Sequence, residues 1–350
     1  MYRVYFNHPF GYATTIYYTV ICLTWEREVH KVSVIIPVYN GARHIPNTFR
    51  FLSEQTFKDY EVIFIVDVKT TDGTLDAIRE NTPERWDVKV LNQDGDGKLG
   101  EARNIGLEQA SGDVIWFFDV DDRPLPEFLS TLLNIMDTHN ADTVMCNFVR
   151  SDDLNIRPRE REERKVWVMN SREAMQARLN EKIPVTAWSR ITTKKLLIDN
   201  GIRFNHEFSE DIEHTFSILN ASDVICYCHE PLYIYFQNPE SICGDRGHDN
   251  IRGRAEIDAY ARLEGLLEGT GTKRFRRKAA LTSIRSAVHM DRRSFVEFAK
   301  SSEFRELMKR NLSDPPSFEA YVVRAVPSLY HACVKAFLDI IYYRNGKSFS

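Results

Sequence analysis

Along residues 31–148, short continuous apolar runs alternate with stretches whose apolar positions recur every three or four residues. The runs at 31–38, 61–66, 88–91, 114–118 and 143–148 have strand length, are rich in Val, Ile and Phe, and are apolar on both faces. Between them, Ile45, Phe49 and Leu52 mark one helical face, a turn at Asp72-Gly73 leads into a short helix, and residues 99–110 form a third. This β-α-β-α order predicts an α/β fold, a Rossmann-like, mostly parallel sheet with helices on both faces. Such sheets bind ligands beyond the carboxyl ends of their strands. Asn40, Asp67, Asp94 and Asp119 all stand at or just after such ends, so one crevice can collect them.

The pattern then changes. Residues 151–165 are charge-dense without an apolar period, as in an exposed loop. Helices at 172–179 and 194–200 flank an aromatic segment around Trp188, and Ser209-Glu210-Asp211 opens a further helix carrying Ile212, Phe216 and Leu219. Strands at 224–228 and 233–236 close this part, and from about 252 the chain reads as wholly helical. The expected division is an extension over 1–30, an α/β domain over 31–245 and a helical region over 246–350.

The densest chemistry lies at Asp119, Asp121 and Asp122, where a buried-looking strand runs into three carboxylates. Like charges so close need a cation or a set of donors to compensate them. Oxygen-only ligands favour a hard ion such as Mg²⁺ or Mn²⁺, which fills its remaining positions with water and phosphate oxygens. A plainer reading has Asp122 and Pro124 starting the next helix.

Composition narrows the class. The 350 residues are 43% hydrophobic and 27% charged, ordinary globular material long enough for two domains. The six cysteines are scattered, several of them in apolar runs, and Cys226-x-Cys228 lacks a second pair at zinc spacing; free thiols in a reducing cytosol are expected. The net charge of −4 hides an asymmetry, about −12 before residue 250 and about +8 after it. The basic run 273–278 suits either an anionic membrane surface or a solvated helix face, whereas nucleic acid is not expected because no binding motif accompanies the charge. No run reaches the roughly 20 apolar residues that span a bilayer. Residues 10–23 are aromatic-rich but too polar for a signal peptide, and read as an extra strand or upstream extension. Residues 325–343 predict a helix with one polar stripe, His331, Lys335 and Asp339, either packed on the protein or laid on a membrane interface. The expected location is cytoplasmic, peripheral at the inner membrane face.

Five segments in order resemble family 2 glycosyltransferases of the GT-A, nucleotide-diphospho-sugar transferase type. They are Val34-Ile35-Ile36-Pro37-Val38-Tyr39-Asn40, the turn from Asp67 to Thr74, Gly100-Glu101-Ala102-Arg103-Asn104-Ile105-Gly106, Asp119-Val120-Asp121-Asp122, and Ser209-Glu210-Asp211. The run from Ala187-Trp188-Ser189-Arg190 through Gly201-Ile202-Arg203-Phe204 to Pro231–Tyr235 and Ser241-Ile242 is similar to bacterial members that build surface polysaccharides.

The resemblance implies a role for each matching residue. Tyr39 would stack on the donor base, with Pro37 and Asn40 lining that pocket and Asp67 near base and ribose. Arg103 would face the diphosphate or the acidic cluster, Asp119 ribose or metal, and Asp121 would be the principal ligand of Mn²⁺ or Mg²⁺. Asp211 would be the general base, with Glu210 orienting the acceptor, and the reaction would invert the anomeric carbon. The implied partners are a nucleotide-sugar donor, with UDP the prior, and a saccharide or lipid-linked acceptor. One departure is Val68, where the family commonly carries a second carboxylate that contacts the base.

Two other functions fit parts of the chain. Gly95-Asp96-Gly97-Lys98-Leu99-Gly100 matches a dinucleotide fingerprint with Asp119 about 20 residues on, but Asp94 and Asp96 put negative charge where a pyrophosphate would sit. A non-catalytic nucleotide-sugar-binding protein would share the fold, although retained Asp119, Asp121 and Asp211 argue for chemistry.

Overall fold

The computed structural model describes residues 32–94, 98–158, 165–205, 209–237, 249–267, 273–309 and 318–344. The expectations for the 1–30 extension, Gly95-Asp96-Gly97, Ser241-Ile242 and Cys243 lie outside these residues, as do most side chains of the basic run 273–278.

The first part follows the apolar pattern closely. Strand β1 (Val32–Val38) is buried at every position. Helix α1 (Ile45–Glu54), strand β2 (Tyr60–Asp67), helix α2 (Thr74–Asn81), strand β3 (Val88–Gln93), helix α3 (Leu99–Gln109) and strand β4 (Val114–Phe117) follow. All pairings among these four strands are parallel, with β1 between β2 and β4. Alternate strand residues feed two cores. Val34, Ile36, Val62 and Phe64 pack with Phe49, Leu52 and Phe128 on one face, whereas Ile35, Ile63, Ile65 and Phe117 pack with Ala102, Leu107 and Leu197 on the other. Burial on both faces is why these strands read as unbroken apolar runs. At Gly106 an added Cβ would meet Ile35 Cγ2 at 2.3 Å, so glycine lets α3 lie directly on the sheet.

The second part departs from the pattern. It comprises β5 (Arg123–Pro124), α4 (Phe128–His139), β6 (Thr143–Ser151), β7 (Val166–Met169), α5 (Ser171–Leu179), β8 (Arg190–Thr193), α6 (Lys194–Asp199), α7 (Glu210–Ala221) and β9 (Ile225–Phe236). The nine strands form one sheet in the order β3-β2-β1-β4-β8-β6-β9-β5, with β7 also on β9. Strand β8 lies antiparallel between β4 and β6, and β5 and β7 pair antiparallel with β9, so the parallel half continues into a mixed half. These three strands, of two to four residues each, were not expected, because they are too short to display a period. The two strands expected at 224–228 and 233–236 are one strand. Pro231 sits at a register shift opposite Asn147, where a missing N–H costs no ladder bond. Nor does Asp122 begin a helix: α4 starts at Phe128, and Asp122 Oδ1 accepts the Phe236 N–H at 2.8 Å.

After β9 the described residues are helical, as expected: α8 (Asp249–Leu267), α9 (Lys273–Ser286), α10 (Arg292–Lys300), α11 (Ser302–Leu307), α12 (Phe318–Ala325) and α13 (Pro327–Arg344). Ala259, Tyr260 and Leu263 of α8 join Met175 of α5 and Phe216 of α7 in a shared core, so these helices are seated on the sheet domain. A further core of Ile257, Ile284, Phe295, Phe304, Val323 and Tyr330 holds them to one another. The expected polar stripe of the last helix is turned inward at His331, whose Nε2 meets the Met290 carbonyl at 2.8 Å, while Leu329 is exposed. A buried acceptor reverses the assignment that polarity alone suggests. Among the described residues no helix is long and apolar enough to cross a membrane.

Candidate active site

The parallel strands β1, β2 and β4 end on the same side of the sheet, and α3 and α7 bring charged side chains to the end of β4. Arg103 lies on α3 and is 1% exposed. Its Nη1 donates to Glu210 at 2.7 Å and to Asp211 at 3.1 Å, and its Nη2 donates to Asp119 at 3.0 Å. One guanidinium therefore joins the end of β4 to the first turn of α7, whose Glu210 lies 107 residues beyond Arg103. The backbone accommodates this approach at Gly100, where an added Cβ would meet the Asn205 carbonyl at 2.4 Å. Asn104 completes the joint by donating to the Phe204 carbonyl and accepting the Phe204 N–H, both at 2.9 Å.

Ser209 precedes α7 in the left-handed region, with φ of 62°, and its side chain caps nothing. Simple capping therefore does not explain the Ser-Glu-Asp sequence; the turn aims the two acids at Arg103. Asp211 is held twice, by Arg103 at Oδ1 and by the Ala187 N–H at Oδ2, 3.2 Å away. Its side chain remains 21% exposed, so it is fixed yet reachable.

Negative charge exceeds its compensation. Burial pulls the Arg103 guanidinium down, but Asp211, Asp119 and Glu210 outweigh this and hold it above its ordinary value. Burial, followed by repulsion from Asp121 and Asp211, pushes Asp119 up to about 6 despite Arg103. Burial and Asp211 likewise push Glu210 up to about 7. Asp122 is buried and pushed well above the carboxylate range by burial and then by Asp121 and Asp119. The three carboxylates expected to act together are thus divided: Asp119 bridges to Arg103, Asp122 is turned inward to Phe236, and Asp121 is half-buried between them.

These residues fit a divalent cation of limited protein coordination. Among the described residues no group of three His, Cys, Asp or Glu side chains converges as a metal cage. The oxygen ligands of Asp119 and Asp121 are of the kind that an ion such as Mg²⁺ or Mn²⁺ takes when it uses one or two carboxylates and completes its shell with water and phosphate.

The other expected positions lie at and just beyond the carboxyl ends of β1 and β2. Tyr39 is 61% exposed and Val68 51% exposed, just past the paired ends Val38 and Val66 of β1 and β2. Together they offer an apolar surface for a planar ring. Pro37 is buried within β1, two residues before Tyr39. Asn40 adopts φ of 46° and its Oδ1 accepts the Thr71 N–H at 2.9 Å, tying the two strand-end loops together. Asp67 is buried with Oδ1 accepting the Lys69 N–H at 2.7 Å.

Sequence reasoning assigned no role to Arg190 or His214. Arg190 Nη2 meets His214 Nδ1 at 2.7 Å, and the His214 ring stacks on Phe204, whose ring also lies 5.1 Å from the Arg103 guanidinium. The available signal was spacing, since His214 follows Glu210 by four residues on one helical face.

The chain is similar to known proteins in sequence and in fold. The family model for Glycosyl transferase family 2 matches residues 33–199. Glycosyltransferase GlyG of Streptococcus pneumoniae is 25% identical over 223 residues, covering 60% of this chain and 72% of that protein. Other curated relatives are matched over 62% of their own length. Among solved structures, S. aureus TarS 1–349 in complex with UDP-GlcNAc superposes with a TM-score of 0.63 at 19% identity, covering 91% of this chain and 95% of that one. The mannosyltransferase PcManGT from Pyrobaculum calidifontis in complex with GDP-Man and Mn²⁺ gives a TM-score of 0.54 at 14% identity, with 87% and 86% covered.

Proposed function

Because residues 33–199 form a family 2 glycosyltransferase domain on a GT-A fold, we propose that this chain moves a sugar, with inversion, from a nucleotide diphosphate to a hydroxyl of a saccharide or lipid-linked acceptor. The observation that carries the reading is the triple contact of Arg103 with Asp119, Glu210 and Asp211, which sets a donor-side carboxylate and a candidate base around one buried cation.

In this reading Tyr39 stacks on the base and Val68 extends the apolar floor, with Pro37 and Asn40 shaping the pocket and Asp67 supporting the adjoining loop. UDP is the preferred nucleotide, because TarS is described in complex with UDP-GlcNAc and is named an N-acetylglucosaminyltransferase. A divalent ion held by Asp119 and Asp121 would supply positive charge to the departing diphosphate. Arg103 keeps Asp119, Glu210 and Asp211 at fixed separations and limits their mutual repulsion. Asp211 accepts the proton of the acceptor hydroxyl, which attacks the anomeric carbon as the bond to the diphosphate breaks. Glu210, beside it, orients the acceptor.

A thermal-shift screen with UDP, GDP and NAD, each with and without Mn²⁺, tests the assignment. Metal-dependent stabilisation by a nucleoside diphosphate is expected. Stabilisation by NAD alone would restore the dehydrogenase reading, and no response to any ligand would favour a scaffold. Anomeric NMR of the product tests inversion, which a retained configuration would overturn.

The location proposed is the cytoplasmic membrane face. Its support is the basic balance after residue 250 together with exposed Tyr321 on α12, Val326 between the helices and Leu329 on α13. Removing the chain from Ala325 onward should release the protein from anionic liposomes, and salt should weaken binding of the full chain. Equal, negligible sedimentation of both forms would leave α13 with a packing role alone.

A further inference from the structure

Arg190 opens β8, is 2% exposed, and makes hydrogen bonds to neutral groups: the Thr186 carbonyl at 3.0 Å, Thr215 Oγ1 at 2.6 Å and His214 Nδ1 at 2.7 Å. A buried guanidinium bonded to neutral acceptors is costly, so its retention calls for a reason. Burial pulls Arg190 down to about 10, against the attraction of Asp211 and with the repulsion of Arg103, which leaves it cationic at neutral pH. His214 is fully buried, and burial, then Arg190 and Arg103, hold it well below the usual imidazole range. It is therefore neutral, and because Nδ1 accepts from the guanidinium, its proton belongs on Nε2.

The three acceptors belong to two segments that meet at Asp211. His214 and Thr215 follow Asp211 on α7, whereas Thr186 lies in the segment 185–189 that supplies the Ala187 N–H to Asp211 Oδ2. Thr215 Oγ1, besides accepting from Arg190, donates to the Val185 carbonyl at 2.8 Å. The far side of the segment is pinned to the sheet, since the Trp188 carbonyl accepts from Trp116 Nε1 and the Ser189 carbonyl from the Cys146 N–H, both at 2.9 Å. Arg190 is thus the clasp that sets the separation between Asp211 and the amide that orients it.

We infer that Arg190, clasped to His214, is a positioning residue for Asp211: it fixes the Ala187 N–H against Oδ2 and places a second buried guanidinium behind the carboxylate. This rests on the reading of Asp211 as the base, and it adds a residue pair that touches neither donor nor acceptor. A displacement of the order of 1 Å at such a group costs about 100-fold in rate, so a clasp of this kind has kinetic leverage.

The test uses the full chain with four substitutions, Arg190→Met, Arg190→Lys, His214→Phe and His214→Asn. Phenylalanine keeps the stack on Phe204 but removes the acceptor, whereas asparagine restores one. Two readouts are taken: backbone hydrogen exchange over 185–189, and kcat and KM for UDP release from UDP-GlcNAc with Mn²⁺, alongside UDP affinity. With Arg190→Met and His214→Phe, exchange over 185–189 should rise about 10-fold and kcat should fall about 10- to 100-fold, while KM and UDP affinity stay within about 3-fold. Lysine and asparagine should recover part of both losses. Unchanged exchange at 185–189, or a kcat per folded molecule equal to wild type, would overturn the inference, as would lysine and asparagine faring no better than methionine and phenylalanine. If the wild type released nucleotide from no nucleotide sugar while the exchange pattern held, the transferase reading would fail and the positioning of Asp211 would stand.

Discussion

The two ends of the parallel strands treat buried carboxylates in opposite ways. At the amino end, Glu61 of β2 is fully buried, and its Oε1 accepts from Ser33 Oγ and Ser111 Oγ at 2.7 Å and from the Ser111 N–H at 2.6 Å, while Oε2 takes Lys89 Nζ at 2.5 Å. Burial opposes ionisation there, but Lys89, Ser111 and Ser33 overcome it and hold Glu61 at about 2. At the carboxyl end, Asp119 and Glu210 share one guanidinium with Asp211 and are pushed up to about 6 and about 7. A carboxylate matched by its own cation and donors fastens three strands and the turn before β4, whereas three acids that share one guanidinium keep raised proton affinities, a pattern that clusters at functional sites. Position in the sheet, rather than residue type, separates structure from chemistry.

Replacement of Asp211, the proposed base, gives the largest expected difference between the two ends. Asp211→Asn should lower turnover by roughly 10²- to 10⁴-fold while leaving nucleotide affinity near wild type, read by steady-state kinetics and calorimetric titration. Equal loss of affinity and turnover would make Asp211 a binding residue. At the opposite end, Glu61→Ala should cost about 3 kcal/mol of stability in a denaturant titration, because Lys89 and the serines lose their shared acceptor, with nucleotide affinity per folded molecule unchanged.

The next effect should be confined to the cation. Asp121→Ala should abolish the increment that Mn²⁺ adds to nucleotide affinity, about 10-fold or more, without lowering the melting temperature, since it removes repulsion rather than core volume. Persistence of the full metal increment would return the acidic turn to a structural role.

The smallest effect concerns pH and has opposite signs at the two ends. Glu61 is depressed below its ordinary 4.5, so its contribution is present above that value and lost as pH falls towards about 2. Glu210 is raised from 4.5 to about 7, so its ionisation costs stability as pH rises across that window. Glu210→Gln should therefore stabilise the protein by about 1–2 kcal/mol at pH 8 and by nothing near pH 4, measured by melting at each pH. A stabilisation independent of pH would show that the side chain's shape, not its charge, is at issue.

Much of the fold was legible in the chain. Strands of the parallel half are apolar throughout because helices cover both faces, and that burial writes a run long enough to read. Short β5, β7 and β8 left no such trace, and Pro231 split β9 in the pattern although the bulge opposite Asn147 carries the strand through. In α13 the polar His331 faces inward to a carbonyl and Leu329 faces outward, which no local rule anticipates.

The site divides the same way. Sequence alone placed Tyr39, Asn40, Asp67 and Asp119 at strand ends, and placed Glu210 and Asp211 at the start of a helix, because strand ends and helix starts are local events set by a few neighbouring residues. What it did not contain was the partnership: Arg103 reaching three acids from two distant segments, Asp122 turning away to Phe236, and Arg190 clasping α7 to the segment that holds Asp211. Those depend on how α3, α7 and β8 pack against one sheet, and the ionisation of every carboxylate follows from that packing, since burial and the distance to the nearest cation are properties of the folded chain.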